Sequence, residues 1–461
     1  MANGCSSDSR GYGGGKLIPL IRNPLRWAVL AAAALLIVAA CGGGGTTTGT
    51  TTFKGTKKLG LSTTISGVSA LYGKAISQSV KLAVDDVNAR GGVNGYKIEA
   101  VILDDNTDVN KAVQNTQQLI LQENVVAMIG QVLSSQCQAT SPISKQNKVV
   151  VIAPICNSYQ LTTEPDLINP YYVSIVPNTY MEGTSAGTLA GKLGAKRIFI
   201  VSPNYLFGRS ETNAFVAALK KANPSAEIAN SESTWYVPFP TNPRWDSTIN
   251  AIQATKPDLV YSNIFAADQQ NFIKQAQGVD PDFFKKYPMT TLSSVDDLST
   301  LASSYPLGMH LYMRAPFFAL ANTRMDDFVK RYRSRYNEYP SDWAVMSYDA
   351  VQVWAKATGA AGTFDSAQVL KQIVGKSFQS LRGYSFTIRP GDQQANVGET
   401  IGTTADSGGK YPFPTLKEVT NLKGDDIMMP LTLMNELRDG KCEKGGDPKT
   451  TDFALCPSWK A

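Results

Sequence analysis

The stretch Asp85–Asp105, DDVNARGGVNGYKIEAVILDD, decides the fold of this chain. Its first residues end a helix. Upstream, Gly73–Arg90 places Ile76, Val80, Ala83, Val84 and Val87 at helical spacing, an apolar stripe. Gly91-Gly92 stops that helix, and Asn94-Gly95 supplies a second tight turn. KIEAVILDD then reads as a strand that ends in acid. Helix, tight return and strand make a crossover. Asp104-Asp105 lies at a strand's carboxyl end, the edge where open α/β sheets bind ligands; the alternative is that the pair only caps the next helix.

Working outward, KLGLSTT precedes the helix as a short strand. Downstream come a helix through Val109, Ala112, Val113, Thr116, Leu119 and Ile120, a strand VVAMIG, a helix opening at Ser134-Ser135, and a strand KVVVIAP. The alternation restarts after Pro177 with KRIFIVSP, a helix Ser210–Ala222, PDLVYSNI, a helix Gln269–Gly278 and the strand MHLYMR. Strands alternating with helices imply parallel sheets covered on both faces, and here two such α/β units of similar build. That agrees with a length of 461 residues, more than one hydrophobic core covers. The net charge is +6, and Arg10, Lys16, Arg22 and Arg26 against Asp8 supply half of it. No long Lys/Arg block is present, which argues against nucleic acid as a partner.

The amino-terminal region reads as an export signal; the alternative is a short membrane anchor or a buried helix. Trp27–Ala40, WAVLAAAALLIVAA, follows two arginines and, at 14 residues, is short for a membrane span. It ends IVAAC, which resembles a bacterial lipobox, so residues 1–41 are expected to be a leader with Cys41 as the lipidated residue. Residues 42–56, mostly glycine and threonine, are expected to be a flexible tether. A lipid and a tether would hold the rest at a membrane surface, outside the cytoplasm.

Cys137, Cys156, Cys442 and Cys456 remain, an even number for an oxidising compartment. Three pairings are open, as is the reading that the thiols are free. Cys137–Cys156 and Cys442–Cys456 are favoured because each closes a loop of about 15–20 residues, worth about 3 kcal/mol in loop-closure entropy.

The segments SALYGKAISQSVKLAVDDVNARGGVNGYKIEAVILDDNTD, AMIGQVLSS, VVIAPICNSYQLT, YLFG and SYDAVQ, in that order, resemble the type I periplasmic binding proteins of the branched-chain amino acid and amide class. These are ligand-binding subunits of ABC importers. The resemblance runs from about Lys57 to about Pro390. It implies two doubly wound lobes joined by three chain crossings, with ligand in the cleft and closure by a hinge. Residues 57–176 and 308–382 would form lobe 1, residues 177–307 and 383–435 lobe 2, and residues 436–461 a C-terminal extension.

The resemblance also implies a site. Tyr72 matches the family's contact from the first strand–helix loop. Ser134 and Ser135 match the hydroxyls and helix amides that hold a ligand carboxylate, an anion site that needs no buried cation. Ile155 and Asn157 match the next loop, which the two flanking cysteines would pin. From lobe 2 come Phe207, with Tyr205 supplying a hydroxyl, and Phe265 as an aromatic wall. Core packing is the alternative for each aromatic. Amino-acid-binding members place an acid after the strand near Met289; here Asp296 or Asp297 comes two or three residues late. Either Asp296 moves in, or the ligand is not an α-amino acid, because a buried ammonium without a carboxylate is costly.

An enzyme is disfavoured. The chain has one histidine, His310, and neither a P-loop nor a GxGxxG after the first strand. No cofactor or metal is expected. The expected partners are a small-molecule solute, ABC permease and ATPase subunits, and the membrane through the lipid alone. The alternative is a sensor subunit that shows its closed form to a signalling receptor. The tail beyond Pro390 and the segment YVPFPTNPRW with Trp235 and Trp245 look inserted, able to rim the cleft or pack on lobe 2.

Overall fold

In the computed structural model, residues 52–240, 244–443 and 453–460 are described. The expected leader, Cys41 and most of the tether lie outside them. Phe53 onward forms one unit built on two sheets.

The first sheet holds β1 (Thr56–Thr63), β2 (Lys97–Asp104), β3 (Ala127–Ile129), β4 (Val151–Ala153) and β5 (Tyr172–Ser174), all parallel in the order β2-β1-β3-β4-β5. The opening stretch is the crossover between β1 and β2. Helix α1 (Ala70–Ala89) buries Ile76, Val80, Ala83, Val84 and Val87. Gly91 and Gly92 sit at φ +95° and +72°, and the Gly92 N–H reaches back 3.0 Å to the Val87 carbonyl. A Cβ on Gly92 would lie 1.9 Å from the Tyr96 carbonyl oxygen, so no larger residue fits.

Asp104 and Asp105 do neither thing expected of them. Asp104 accepts from the amides of Ile65 and Ser66 at 2.9 and 3.1 Å, and Asp105 from Ser62 Oγ at 3.2 Å. Asp104 fastens the loop from β1 to α1, and Asp105 ties to β1 itself. Capping of α2 (Val109–Gln117) falls to Asp108, which accepts from the Lys111 amide at 2.7 Å.

The chain continues through α3 (Ser134–Gln146) and the short α4 (Gln160–Thr163), then crosses to the second sheet. That sheet has eight strands. They are β6 (Arg197–Pro203), β7 (Glu227–Ile228), β8 (Tyr236–Val237), β9 (Leu259–Ser262), β10 (Met289–Leu292), β11 (His310–Met313), β14 (Glu399–Ala405) and β15 (Thr415–Leu422). The order is β15-β14-β11-β10-β9-β6-β7, with β8 beside β6; β14 and β15 run antiparallel. Helices α5 (Thr179–Lys192), α6 (Leu206–Ala222), α7 (Asp246–Thr255), α8 (Ala266–Val279), α9 (Phe283–Lys286) and α10 (Val295–Leu301) belong to this lobe.

The lobe boundaries differ from those expected. β11 pairs with β10 and β14, so the return to the first lobe follows Met313 and does not begin at residue 308. Helices α11 (Thr323–Tyr336), α12 (Asp342–Ala361) and α13 (Ser366–Lys371) then extend the first lobe, α12 against α1. The hairpin of β12 (Ser377–Gln379) and β13 (Ser385–Thr387) stays there too. Ser174 of β5 bonds to the backbone of Gln393 and Ala395, so the chain leaves lobe 1 near residue 396, later than the expected 383.

After β15, α14 (Gly424–Ile427), α15 (Leu431–Arg438) and α16 (Pro457–Lys460) pack across both lobes. Phe453 meets Tyr159 of the first lobe at 5.6 Å and Tyr180 of the second at 5.0 Å. Cys442 is bonded to Cys456 within this segment, and Cys137 to Cys156 in the first lobe. In the inserted segment, Trp245 is fully buried against Phe272 at 5.3 Å. No helix among the described residues is long and apolar enough to cross a membrane.

Candidate functional site

The carboxyl ends of both sheets face one another. In a parallel sheet these ends carry the loops that lead into helix N-termini, and ligands bind where neighbouring loops part to opposite sides. Between the lobes lies a cavity of about 20 Å³. Tyr72, Val132, Ser134, Ile155, Asn157 and Trp343 line it from the first lobe; Tyr205, Phe207, Phe265, Leu292 and Arg314 line it from the second. The space holds about one water-sized sphere, so the lobes are shut upon their own side chains.

Tyr72 bridges the lobes. Its hydroxyl donates to Asp297 Oδ2 at 2.9 Å and accepts from the Ala266 amide at 3.0 Å. Its ring lies 4.4 Å from that of Trp343 and 6.1 Å from that of Phe265. Burial, reinforced by the Asp297 charge, holds this phenol well above its ordinary pKa. Burial likewise pushes Asp297 up to about 6, against the hydrogen bonds from Ser294, Tyr72 and Gln270. A second tie runs from Asp342 on α12, which accepts from the amides of Val295 and Ala315 at 3.0 and 2.8 Å.

Ser134 Oγ accepts from the Asn157 and Ser158 amides at 3.3 and 3.1 Å. Its lone pairs are thereby engaged, and the hydroxyl proton is what it can offer a ligand. The α3 N-terminus is served instead by Gln136, whose Oε1 accepts from the Leu133 amide at 3.0 Å. Asn157 donates across the cleft to Glu182 Oε2 at 2.7 Å and to the Pro177 carbonyl at 2.8 Å. Ile155 narrows the floor, and the Cys137–Cys156 bond ties α3 to this loop.

Phe207 and Phe265 meet edge to face at 5.7 Å. Tyr205 stacks at 4.4 Å on Phe239 of the inserted segment, which therefore backs this wall.

Two expected residues stand elsewhere. Ser135 is half-buried and off the cavity wall, because one step along a helix turns a side chain through about 100°. Asp296 lines a different, outer cavity of about 300 Å³ with Lys74, Gln78 and Glu338. Its neighbour Asp297, one helical step round, is the acid that reaches Tyr72.

Val132, Leu292, Arg314 and Trp343 were not foreseen. Arg314 follows β11 at its carboxyl end. It is 3% exposed and bonds Glu182 through two nitrogens, Nη2 at 3.1 Å and Nε closer; its guanidinium lies 4.8 Å from the Trp343 ring centre. Trp343 carries no local signal beyond being apolar at the start of a helix.

A family model described as periplasmic binding protein matches residues 56–410. The chain belongs to that family. An amino acid binding protein of Pseudomonas aeruginosa is 23% identical over 358 residues, 77% of this chain and 91% of the relative. A solved periplasmic binding protein from Burkholderia mallei superposes with a TM-score of 0.73 at 20% identity, over 87% of this chain and 99% of the other. A solute-binding protein of an R. palustris ABC transporter, solved with benzoate, gives 0.68 at 22% identity, over 79% and 96%. The periplasmic binding protein fold, two α/β lobes about a cleft, is therefore the fold of this chain. The family is extracytoplasmic and binds substrates without transforming them, so the chain is not an enzyme.

Proposed function

We propose that this protein is a lipid-anchored solute-binding subunit, held through Cys41, that captures a small ligand between its lobes and delivers it to the permease and ATPase of an ABC importer. What carries the reading is one cavity walled by both lobes at the carboxyl ends of their strands. Entry requires the lobes to part, since about 20 Å³ admits no organic solute. Ligand contacts would then replace the Tyr72 bridge and the Asn157–Glu182 bond as the force that holds the lobes shut.

The lining selects the chemistry. Aromatic and branched side chains surround one guanidinium, one serine hydroxyl and one amide. Among the described residues no carboxylate lines the cavity, and Glu182 and Asp297, bonded to its wall, are engaged by Arg314 and Tyr72. Among branched-chain amino acids, amides and organic acids, this lining favours an acid with an apolar or aromatic body. A ligand ammonium would be buried unpaired.

The test is a thermal-shift screen of amino acids, amides, and aliphatic and aromatic acids on residues Thr46–Ala461. A ligand at a hundredfold excess over Kd should stabilise by about 2.7 kcal/mol. Ser134→Ala and Arg314→Gln should remove the shift for acids while leaving the unliganded melt cooperative. A shift confined to amines, or one unmoved by both substitutions, would overturn the assignment.

A further inference from the structure

Arg314 does not stand alone behind the cavity wall. Glu182 of α5 takes two of its hydrogen bonds. Glu211 of α6 accepts at Oε1 from Tyr261 of β9 at 3.1 Å and from Tyr312 of β11. Glu399 opens β14, and the pairing of Met313 with Thr400 sets it opposite Arg314. Exposure is 0% for Glu182 and Glu211 and 2% for Glu399. Three carboxylates and one guanidinium are thus sealed together at the edge of the cavity.

Their charges fix the number of protons. Three ionised carboxylates against one arginine would bury a net charge of −2, which a dry interior does not tolerate. Glu399 makes no hydrogen bond at either oxygen, and Glu211 none at Oε2. These two are the acids that carry protons, and burial followed by the Glu182 charge raises both well above the usual carboxylate range. Glu182 holds the negative charge opposite Arg314, although burial outweighs the guanidinium and leaves its own pKa raised. The other titratable groups facing the cluster are the phenols of Tyr205, Tyr261 and Tyr312, all raised by burial, and Asp342, raised by burial against its backbone hydrogen bonds. None of them supplies a second cation.

We propose that a carboxylate ligand which pairs with Arg314 drives one proton from solvent onto Glu182, so that capture of the anion is proton-coupled. This rests on the reading of the cleft as an acid-binding site. The ligand anion takes over the guanidinium, and Glu182 is left buried without a cation beside two neutral acids. It becomes the third neutral acid: one anion and one proton enter together, and the cluster keeps zero net charge. A neutral amide of the same shape brings no charge and takes up no proton. The coupling makes anion capture depend on pH: the site takes up the elements of an acid, one anion and one proton together.

The experiment is calorimetric titration of the full chain in detergent micelles with two acid–amide pairs, benzoate with benzamide and 4-methylpentanoate with 4-methylpentanamide. Each is run in two buffers of different ionisation enthalpy. The acid is expected to take up about one proton per site, with Kd rising by up to about tenfold per pH unit where Glu182 is ionised in the unliganded chain. The amide should show neither effect. Glu182→Gln alone lets Glu211 or Glu399 take over the charge opposite Arg314, so the decisive variant combines it with Glu211→Gln and Glu399→Gln; it should still bind the acid but lose uptake and slope. Acid binding without uptake in the unaltered chain, or a slope that survives in the triple variant, overturns the proposal and leaves the solute-binding reading intact. If no carboxylate binds in these titrations or in the screen, the acid-binding reading falls and this proposal with it.

Discussion

Tyr72 makes a bond that neither lobe can make alone, and its partner Asp297 gives that bond a pH dependence. Asp297 has a folded-state pKa of about 6, whereas an unfolded aspartate titrates near 3.9. The folded chain therefore holds a proton that the unfolded chain has released. The stability this contributes is complete below about pH 4 and is lost as pH rises through about 6, a fall of about 3 kcal/mol. Asp105, also raised to about 6 mainly by burial, acts in the same window and with the same sign. Only a comparison isolates Asp297. Denaturant unfolding at intervals between pH 4 and 7 should show Asp297→Asn with a pH dependence flatter than the unaltered protein by about that amount. Parallel curves for the two would show that Asp297 is ionised throughout. The same residue marks the limit of the sequence. An acid after β10 could be foreseen, but whether Asp296 or Asp297 faces Tyr72 depends on where α10 starts, and a shift of one residue swaps the inner face for the outer. Arg314 was hidden for a related reason: nothing local tells a strand-end arginine in a cleft from one in solvent.

Among the elements, the closest contact is between α5 and α6, and it sets the acid cluster. Gly183, Gly187 and Gly191 repeat every fourth residue along one face of α5. A Cβ on Gly183 would lie 2.4 Å from the Glu211 carbonyl oxygen, and one on Gly187 2.4 Å from that of Phe215. The helix backbones touch, and this contact brings Glu182 and Glu211 into one cluster. Gly187→Ala must force the helices apart and should cost about 1–3 kcal/mol by chemical denaturation. Gly359→Ala is the control: it lies in α12 with open space around its Cβ position and should stabilise by about 0.5–1 kcal/mol. If the two changes have equal effects, the packing account of α5 fails. Much of the strand and helix alternation up to β11 was legible because periodicity is a local property, whereas α5, α11, α12, β14 and β15 were not read. Sheet membership was not. β11 reads like any buried strand, and only its hydrogen bonds to β10 and β14 assign it to the second lobe, which is why the crossings fall at about 314 and 396.

At the scale of the whole molecule, the C-terminal segment touches both lobes, and it lies mostly beyond the residues the family model matches. Arg438 donates to the Thr162 carbonyl in lobe 1 at 3.2 Å, while Phe453 packs on Tyr159 and Tyr180. A strap over two moving bodies either blocks their motion or sits so near the axis that it scarcely feels it. Tyr180 is two residues beyond Asn178, just past the first crossing, and Gly391, which also accepts from Arg438, lies just before the third. Contacts this close to the crossings sweep little distance when the lobes rotate. The strap should therefore add stability without fixing the cleft. Removing the Cys442–Cys456 bond by a double change to serine opens a loop of sequence separation 14 and should cost about 3 kcal/mol in thermal or denaturant unfolding. Small-angle scattering of the same variant should show the same decrease in radius of gyration on ligand addition as the unaltered chain. A larger radius in the unliganded variant alone would mean that the strap restrains opening, and the hinge would then have to lie farther from Tyr180 and Gly391 than the three crossings place it.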